Sequence, residues 1–126
     1  MSSPQKIVMI VEDEPDAAEL FAEMMRLNGY RVIKSYSSLP ALGLIKQEKP
    51  DLILLDIMLP EISGLEILRS MRSNPDLASI PVVVVSARAT PTDIQNGLAA
   101  GASTYLTKPV SYMDLINAVD GLIQGK

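Results

Sequence analysis

Five side chains with reactive oxygen or nitrogen stand where strand-like runs end. Asp56 closes the apolar run Asp51-Leu52-Ile53-Leu54-Leu55 and precedes Ile57-Met58-Leu59-Pro60. Glu12 and Asp13 follow Ile7-Val8-Met9-Ile10-Val11, Ser86 ends Val82-Val83-Val84-Val85, and Lys108 follows Thr104-Tyr105-Leu106-Thr107. Short, branched, almost wholly apolar runs are those of parallel strands buried on both faces. Parallel strands share one direction, so these ends lie on one edge of the sheet, where open α/β folds place their chemistry. Three carboxylates gathered there repel by roughly 4 kcal/mol per pair at about 4 Å and an effective dielectric of about 20. A divalent cation with a preference for hard oxygen ligands relieves that repulsion. An ammonium and a hydroxyl on the same edge add groups that complement an anion.

The elements that must position these groups follow from the apolar pattern. Five strands are predicted over 6–11, 30–35, 51–56, 81–86 and 103–107, and five helices over 15–28, 38–48, 63–73, 91–100 and 111–123. Pro15 and Pro91 suit a first helical turn, where a missing N–H costs nothing. Ser63-Gly64-Leu65-Glu66 reads as a capping box, and Ser111 with Asp114 resembles another. Gly29 stands where a left-handed residue terminates the first helix. Strict strand–helix alternation implies a doubly wound parallel sheet with helices on both faces.

Composition narrows the chemistry further. At 126 residues the chain is expected to be one domain, 1–126, burying roughly two thirds of its unfolded surface. An apolar content of 48% argues against disorder. Eleven basic and fifteen acidic side chains give a net charge of −4, without the basic stripe that direct nucleic-acid binding requires. Cysteine and histidine are both absent, which excludes disulfides, thiol nucleophiles, imidazole zinc sites and Ser-His triads within this chain. No apolar stretch approaches the ~18 residues needed to span a bilayer, and the N-terminus lacks the apolar core of a secretion signal. A soluble, cytoplasmic protein without membrane contact is expected.

Taken in order, Val11-Glu12-Asp13-Glu14-Pro15, Asp56-Ile57-Met58-Leu59-Pro60, Gly64, Ser86-Ala87 and Lys108-Pro109 resemble the receiver domain of bacterial two-component response regulators. The likeness covers essentially the whole chain and is nearest to single-domain, chemotaxis-regulator-like members with no effector domain. It implies a flavodoxin-like (βα)5 sheet in the order 2-1-3-4-5, an arrangement for which a receiver is a standard illustration. It also implies a phosphoacceptor role for Asp56, which takes a phosphoryl group from a histidine kinase or histidine phosphotransfer protein. Mg²⁺, with Mn²⁺ as a substitute, is implied on Asp13, Asp56 and the backbone carbonyl of Met58, with Glu12 acting through water. Many family members have Asp in place of Glu12. Lys108 and Ser86 are the implied cationic and hydroxyl partners of the phosphoryl group. Pro109 resembles the family's cis proline, which holds the lysine inward. Tyr105 matches the aromatic switch that turns toward the core when Ser86 is drawn to the phosphoryl group. Such a protein signals to a downstream protein target and is not an enzyme beyond its own phosphorylation and slow autodephosphorylation.

Blander readings stand beside these. Glu12-Asp13-Glu14 also suits the dipole of the first helix, a lone Ser86 is a turn residue, and a lone Lys108 is a solvated charge. The alternative function is an aspartate-nucleophile phosphatase of small substrates, but its second acid would fall at Met58. Met58 and Arg88 border the site and would tune the lifetime of the phosphoryl bond. The first helix carries two apolar stripes, Ala18-Phe21-Met25 and Ala17-Leu20-Met24-Leu27. One faces the sheet, and the other is either a broader core face or a docking surface. The fifth helix has no Lys or Arg, so the charged dimer face of the DNA-binding branch cannot form in that pattern, and a monomer is expected.

Overall fold

The computed structural model describes residues 4–124; residues 1–3 of the stretch considered for a secretion signal lie outside them. Five strands alternate with five helices: β1 (Ile7–Val11), α1 (Pro15–Leu27), β2 (Arg31–Ser35), α2 (Ser38–Glu48), β3 (Leu52–Leu55), α3 (Gly64–Ser73), β4 (Val82–Ser86), α4 (Pro91–Ala100), β5 (Thr104–Thr107) and α5 (Tyr112–Gln124). Each bound falls within two residues of its sequence-based expectation. All strand pairs are parallel and the order is β2-β1-β3-β4-β5, which is the flavodoxin-like arrangement.

Strand side chains alternate between two cores, as the period of two requires. Met9, Val11, Ile53, Leu55, Val82 and Val84 pack with α2, α3 and Ala100 of α4. Val8, Ile10, Leu52, Leu54, Val83 and Val85 pack with α1 and α5. On α1 the stripe Ala18-Phe21-Met25 enters the core, whereas Leu20 and Leu27 of the other stripe are 55% and 75% exposed. The second stripe is therefore split: Ala17 and Met24 are partly buried against the same core and broaden it, while Leu20 and Leu27 are surface. No helix among the described residues is long and apolar enough to cross a membrane.

Local chemistry explains most helix ends. Pro15 and Pro91 open α1 and α4, and Gly29 adopts φ +86° after α1. Ser111 Oγ accepts from the Asp114 N–H at 3.1 Å. The capping box expected at Ser63 is corrected. Its hydroxyl accepts from the Leu65 N–H (3.1 Å), while the Glu66 N–H bonds the Ser63 carbonyl, so Ser63 caps by itself. A reciprocal box forms instead between Thr90 and Asp93 at the start of α4.

Candidate functional site

The sheet ladder runs past the strand ends and fixes the acids to it. The Glu12 N–H donates to the Ser35 carbonyl (3.0 Å), and the Asp56 N–H to the Val11 carbonyl (3.1 Å). The Lys108 N–H donates to the Ser86 carbonyl (2.8 Å). Glu12, Asp56 and Lys108 thus each leave a backbone held by the neighbouring strand. The Lys108–Pro109 peptide is cis.

Glu12, Asp13 and Asp56 each offer a carboxylate oxygen, and these oxygens lie within 4.8 Å of one another. Asp13 is exposed, while Glu12 and Asp56 are 2% and 7% exposed. Lys108 Nζ donates to Glu12 Oε1 at 2.7 Å and to Asp56 Oδ2 at 3.1 Å. Its ammonium lies 6.0 Å from the centre of the Phe21 ring, at the limit of a cation–π contact. Burial raises the Glu12 pKa above its ordinary value, against the opposing hydrogen bond from Lys108. For Lys108, burial acts to lower the pKa, but the hydrogen bonds and charges of Glu12 and Asp56 outweigh it and hold the ammonium above its usual range. Three hard oxygen donors, one open to solvent, match the donor set of a Mg²⁺-type ion.

Beyond Asp56, its Oδ1 accepts from the Met58 N–H at 2.9 Å, and Met58 itself is half exposed. Ser86 is fully buried, and its Oγ accepts from the Arg88 N–H at 3.2 Å. The Tyr105 hydroxyl donates to the Arg88 carbonyl at 2.7 Å. The backbone of Arg88 therefore joins the serine to the tyrosine. Burial raises the Tyr105 pKa, with the nearby Ser86 hydroxyl opposing the shift. The Tyr105 ring rests on α4 where Gly97 leaves room, since a β-carbon there would stand 2.6 Å from ring carbon Cδ2.

The sequence-predicted set comes together: Glu12, Asp13, Asp56 and Lys108 form one charged cluster, with Met58 bonded to Asp56. Ser86 and Tyr105 form the adjoining arm through Arg88. Sequence reasoning missed the Arg88 backbone as the joint between them, and the seat at Gly97. The Thr90-Pro91-Thr92-Asp93 run carried a readable capping signal for α4.

Residues 8–120 match the response regulator receiver domain. The chain belongs to that family, and it is a signalling receiver of a two-component response regulator rather than a conventional enzyme. It is 40% identical over 114 residues to the polar-differentiation response regulator DivK of Brucella ovis (strain ATCC 25840 / 63/290 / NCTC 10512), covering 90% of this chain and 93% of that protein. Among solved structures, a putative response regulator from Chloroflexus aurantiacus J-10-fl superposes with a TM-score of 0.92 at 28% identity, covering 96% of this chain and 99% of that one. A CheY-like response regulator receiver domain protein from Methanospirillum hungatei JF-1 gives a TM-score of 0.89 at 25% identity, covering 97% and 96%.

Proposed function

We propose that this receiver takes a phosphoryl group from a histidine kinase or histidine phosphotransfer protein onto Asp56 and passes the signal on by protein contact. The observation that carries the reading is the Lys108 ammonium, held between the buried carboxylates of Glu12 and Asp56 with Asp13 in the same group. An Asp56 carboxylate oxygen attacks the phosphorus in line; the new O–P bond forms as the P–N bond to the donor imidazole breaks and the imidazole leaves. Lys108 neutralises charge on one phosphoryl oxygen and the Ser86 hydroxyl donates to another, the kind of electrostatic stabilisation that governs such transfers. Glu12, Asp13, Asp56 and the Met58 carbonyl would hold Mg²⁺, or Mn²⁺ in its place, which when bound supplies positive charge to the transferring group. Recruiting Ser86 releases the Arg88 N–H, and through the Arg88 carbonyl this reaches Tyr105, whose ring then leaves its place against Gly97. A cytoplasmic location fits donation by a histidine kinase.

Incubation with Mg²⁺ and acetyl phosphate, read by intact mass, tests the assignment. The native protein is expected to gain one phosphoryl group and Asp56→Asn none. Multiple turnover of small phosphomonoesters without a retained group would favour the phosphatase reading instead.

The outer side of α1, where Leu20 is exposed, offers the partner a seat. Ala17, Leu20, Phe21 and Met24 line a shallow groove completed by Pro109 and Val110, and Lys108 lies at its end. An apolar helix face of the phosphodonor laid there would reach the acidic cluster. Leu20→Ser is expected to slow transfer from the cognate donor about tenfold while leaving uptake from acetyl phosphate and the melting temperature unchanged. Equal rates from the protein donor would rule out the docking role.

A further inference from the structure

We infer that Ser38, the first residue of α2, is a positioning residue for the loop that carries the phosphoacceptor; this rests on the assignment of Asp56 above. Ser38 is 1% exposed, and its Oγ accepts the Ile62 N–H at 2.8 Å. The preceding hydroxyl, Ser37 Oγ, donates to the Glu61 carboxylate. Two consecutive hydroxyls at the start of one helix therefore bond two consecutive residues of the β3–α3 loop, 24 residues away. Ser35, itself buried, donates its hydroxyl to the Ser37 carbonyl at 2.9 Å and so ties this corner to the end of β2.

The helix itself does not use the Ser37 hydroxyl. Ser37 occupies the N-cap position but makes no side-chain capping bond. Pro40, at the third helical position, has no N–H to offer a cap. A serine that ordinarily closes a helix end is turned instead toward the loop.

That loop is where the tether acts on chemistry. Its near end is fixed by the Met58 N–H on Asp56 Oδ1 (2.9 Å) and by burial of Ile57 and Leu59. Its far end is fixed where the Gly64 N–H bonds the Ile57 carbonyl (3.2 Å). Ser38 holds the arch between these points. Slack there displaces Met58, whose N–H orients one Asp56 oxygen and whose carbonyl is assigned to the metal. Partners behind the direct ligands ordinarily change metal affinity by about tenfold or more.

The test compares native protein with Ser38→Ala, Ser38→Cys and Ser103→Ala. Cysteine preserves the side-chain shape but is a weak acceptor. Ser103 Oγ accepts the Val82 N–H at 3.1 Å, a bond of the same kind outside the charged cluster. Mg²⁺ affinity by calorimetry and hydrogen exchange at the Ile62 amide are read on the unphosphorylated proteins. Both Ser38 variants are expected to bind Mg²⁺ about tenfold more weakly and to exchange the Ile62 amide faster, whereas Ser103→Ala matches native protein in both. Native Mg²⁺ affinity in folded Ser38→Cys would overturn the inference, and this variant decides alone if Ser38→Ala fails to fold. An equal loss in Ser103→Ala would also overturn it, by showing a general effect of stability. Failure of native protein to take a phosphoryl group on Asp56 would remove the assignment beneath it, and is read separately.

Discussion

Lys108→Met is expected to lower phosphoryl uptake from acetyl phosphate by about 10²–10³-fold, the usual consequence of removing one preorganised donor to a developing oxyanion. The same change is expected to destabilise the metal-free domain by about 3 kcal/mol, because removing one member of a buried ion pair leaves uncompensated charge. The geometry explains why both effects are large. One ammonium is the shared counter-charge of two nearly buried acids, at 2.7 Å and 3.1 Å, and its own side chain is 26% exposed. Divalent-cation affinity should move the opposite way and rise, since the carboxylates lose their internal counter-charge. Mg²⁺ should therefore restore more stability to the variant than it adds to native protein. Melting curves with and without Mg²⁺, beside an intact-mass time course, read all three effects. Native uptake rates in the variant would remove Lys108 from the chemistry.

Gly64→Ala is expected to be nearly as damaging for a steric reason. A β-carbon at Gly64 would stand 2.6 Å from both the Asp56 carbonyl oxygen and the Ile57 α-carbon. Both neighbours are backbone, so relief requires α3 to retreat or the loop after Asp56 to shift. Overpacking of this kind costs about 1–3 kcal/mol, and a displacement near 1 Å at a reacting group costs about 10²-fold in rate. Gly43 gives the contrast. It is an exposed residue within α2, and beyond its chain neighbours and its own helix backbone an added β-carbon would meet nothing within 4 Å. Gly43→Ala should stabilise the domain by about 1 kcal/mol through helix propensity alone and leave uptake native. Chemical denaturation and the same mass assay separate the two glycines.

The parts of this architecture legible in sequence are those written in local patterns. Four consecutive valines before Ser86 fit only a strand buried on both faces, and Pro15 and Pro91 marked helix starts to the residue. Asp56, Glu12 and Lys108 were legible because parallel strands force their ends onto one edge. Periodicity reports which side chains are buried, but not which distant donor a hydroxyl will meet. Nothing local to Ser37 and Ser38 sets them apart from ordinary helix-start residues, although their bonds lead to the loop beyond β3. The Ser63 capping box failed for a related reason: the motif was present, but the Leu65 N–H took the hydroxyl. Two stripes on α1 were equally apolar in sequence, and only their packing distinguishes the buried Phe21 stripe from one in which Ala17 and Met24 lean on the core while Leu20 and Leu27 face outward. The Tyr105 seat depends on a missing side chain at Gly97, a close approach between α4 and β5 that neither segment encodes by itself.

Reductive trapping tests the central claim most directly. An acyl phosphate is a carboxyl group activated toward hydride, so borohydride converts a phosphorylated aspartate to homoserine, which peptide mass spectrometry locates. After incubation with Mg²⁺ and acetyl phosphate, homoserine is expected at position 56 alone, and its yield should fall when the cation is chelated. Homoserine at Asp13, a reduced side chain at Glu12, or a borohydride-resistant phosphate on Ser86 with position 56 unchanged would contradict the account.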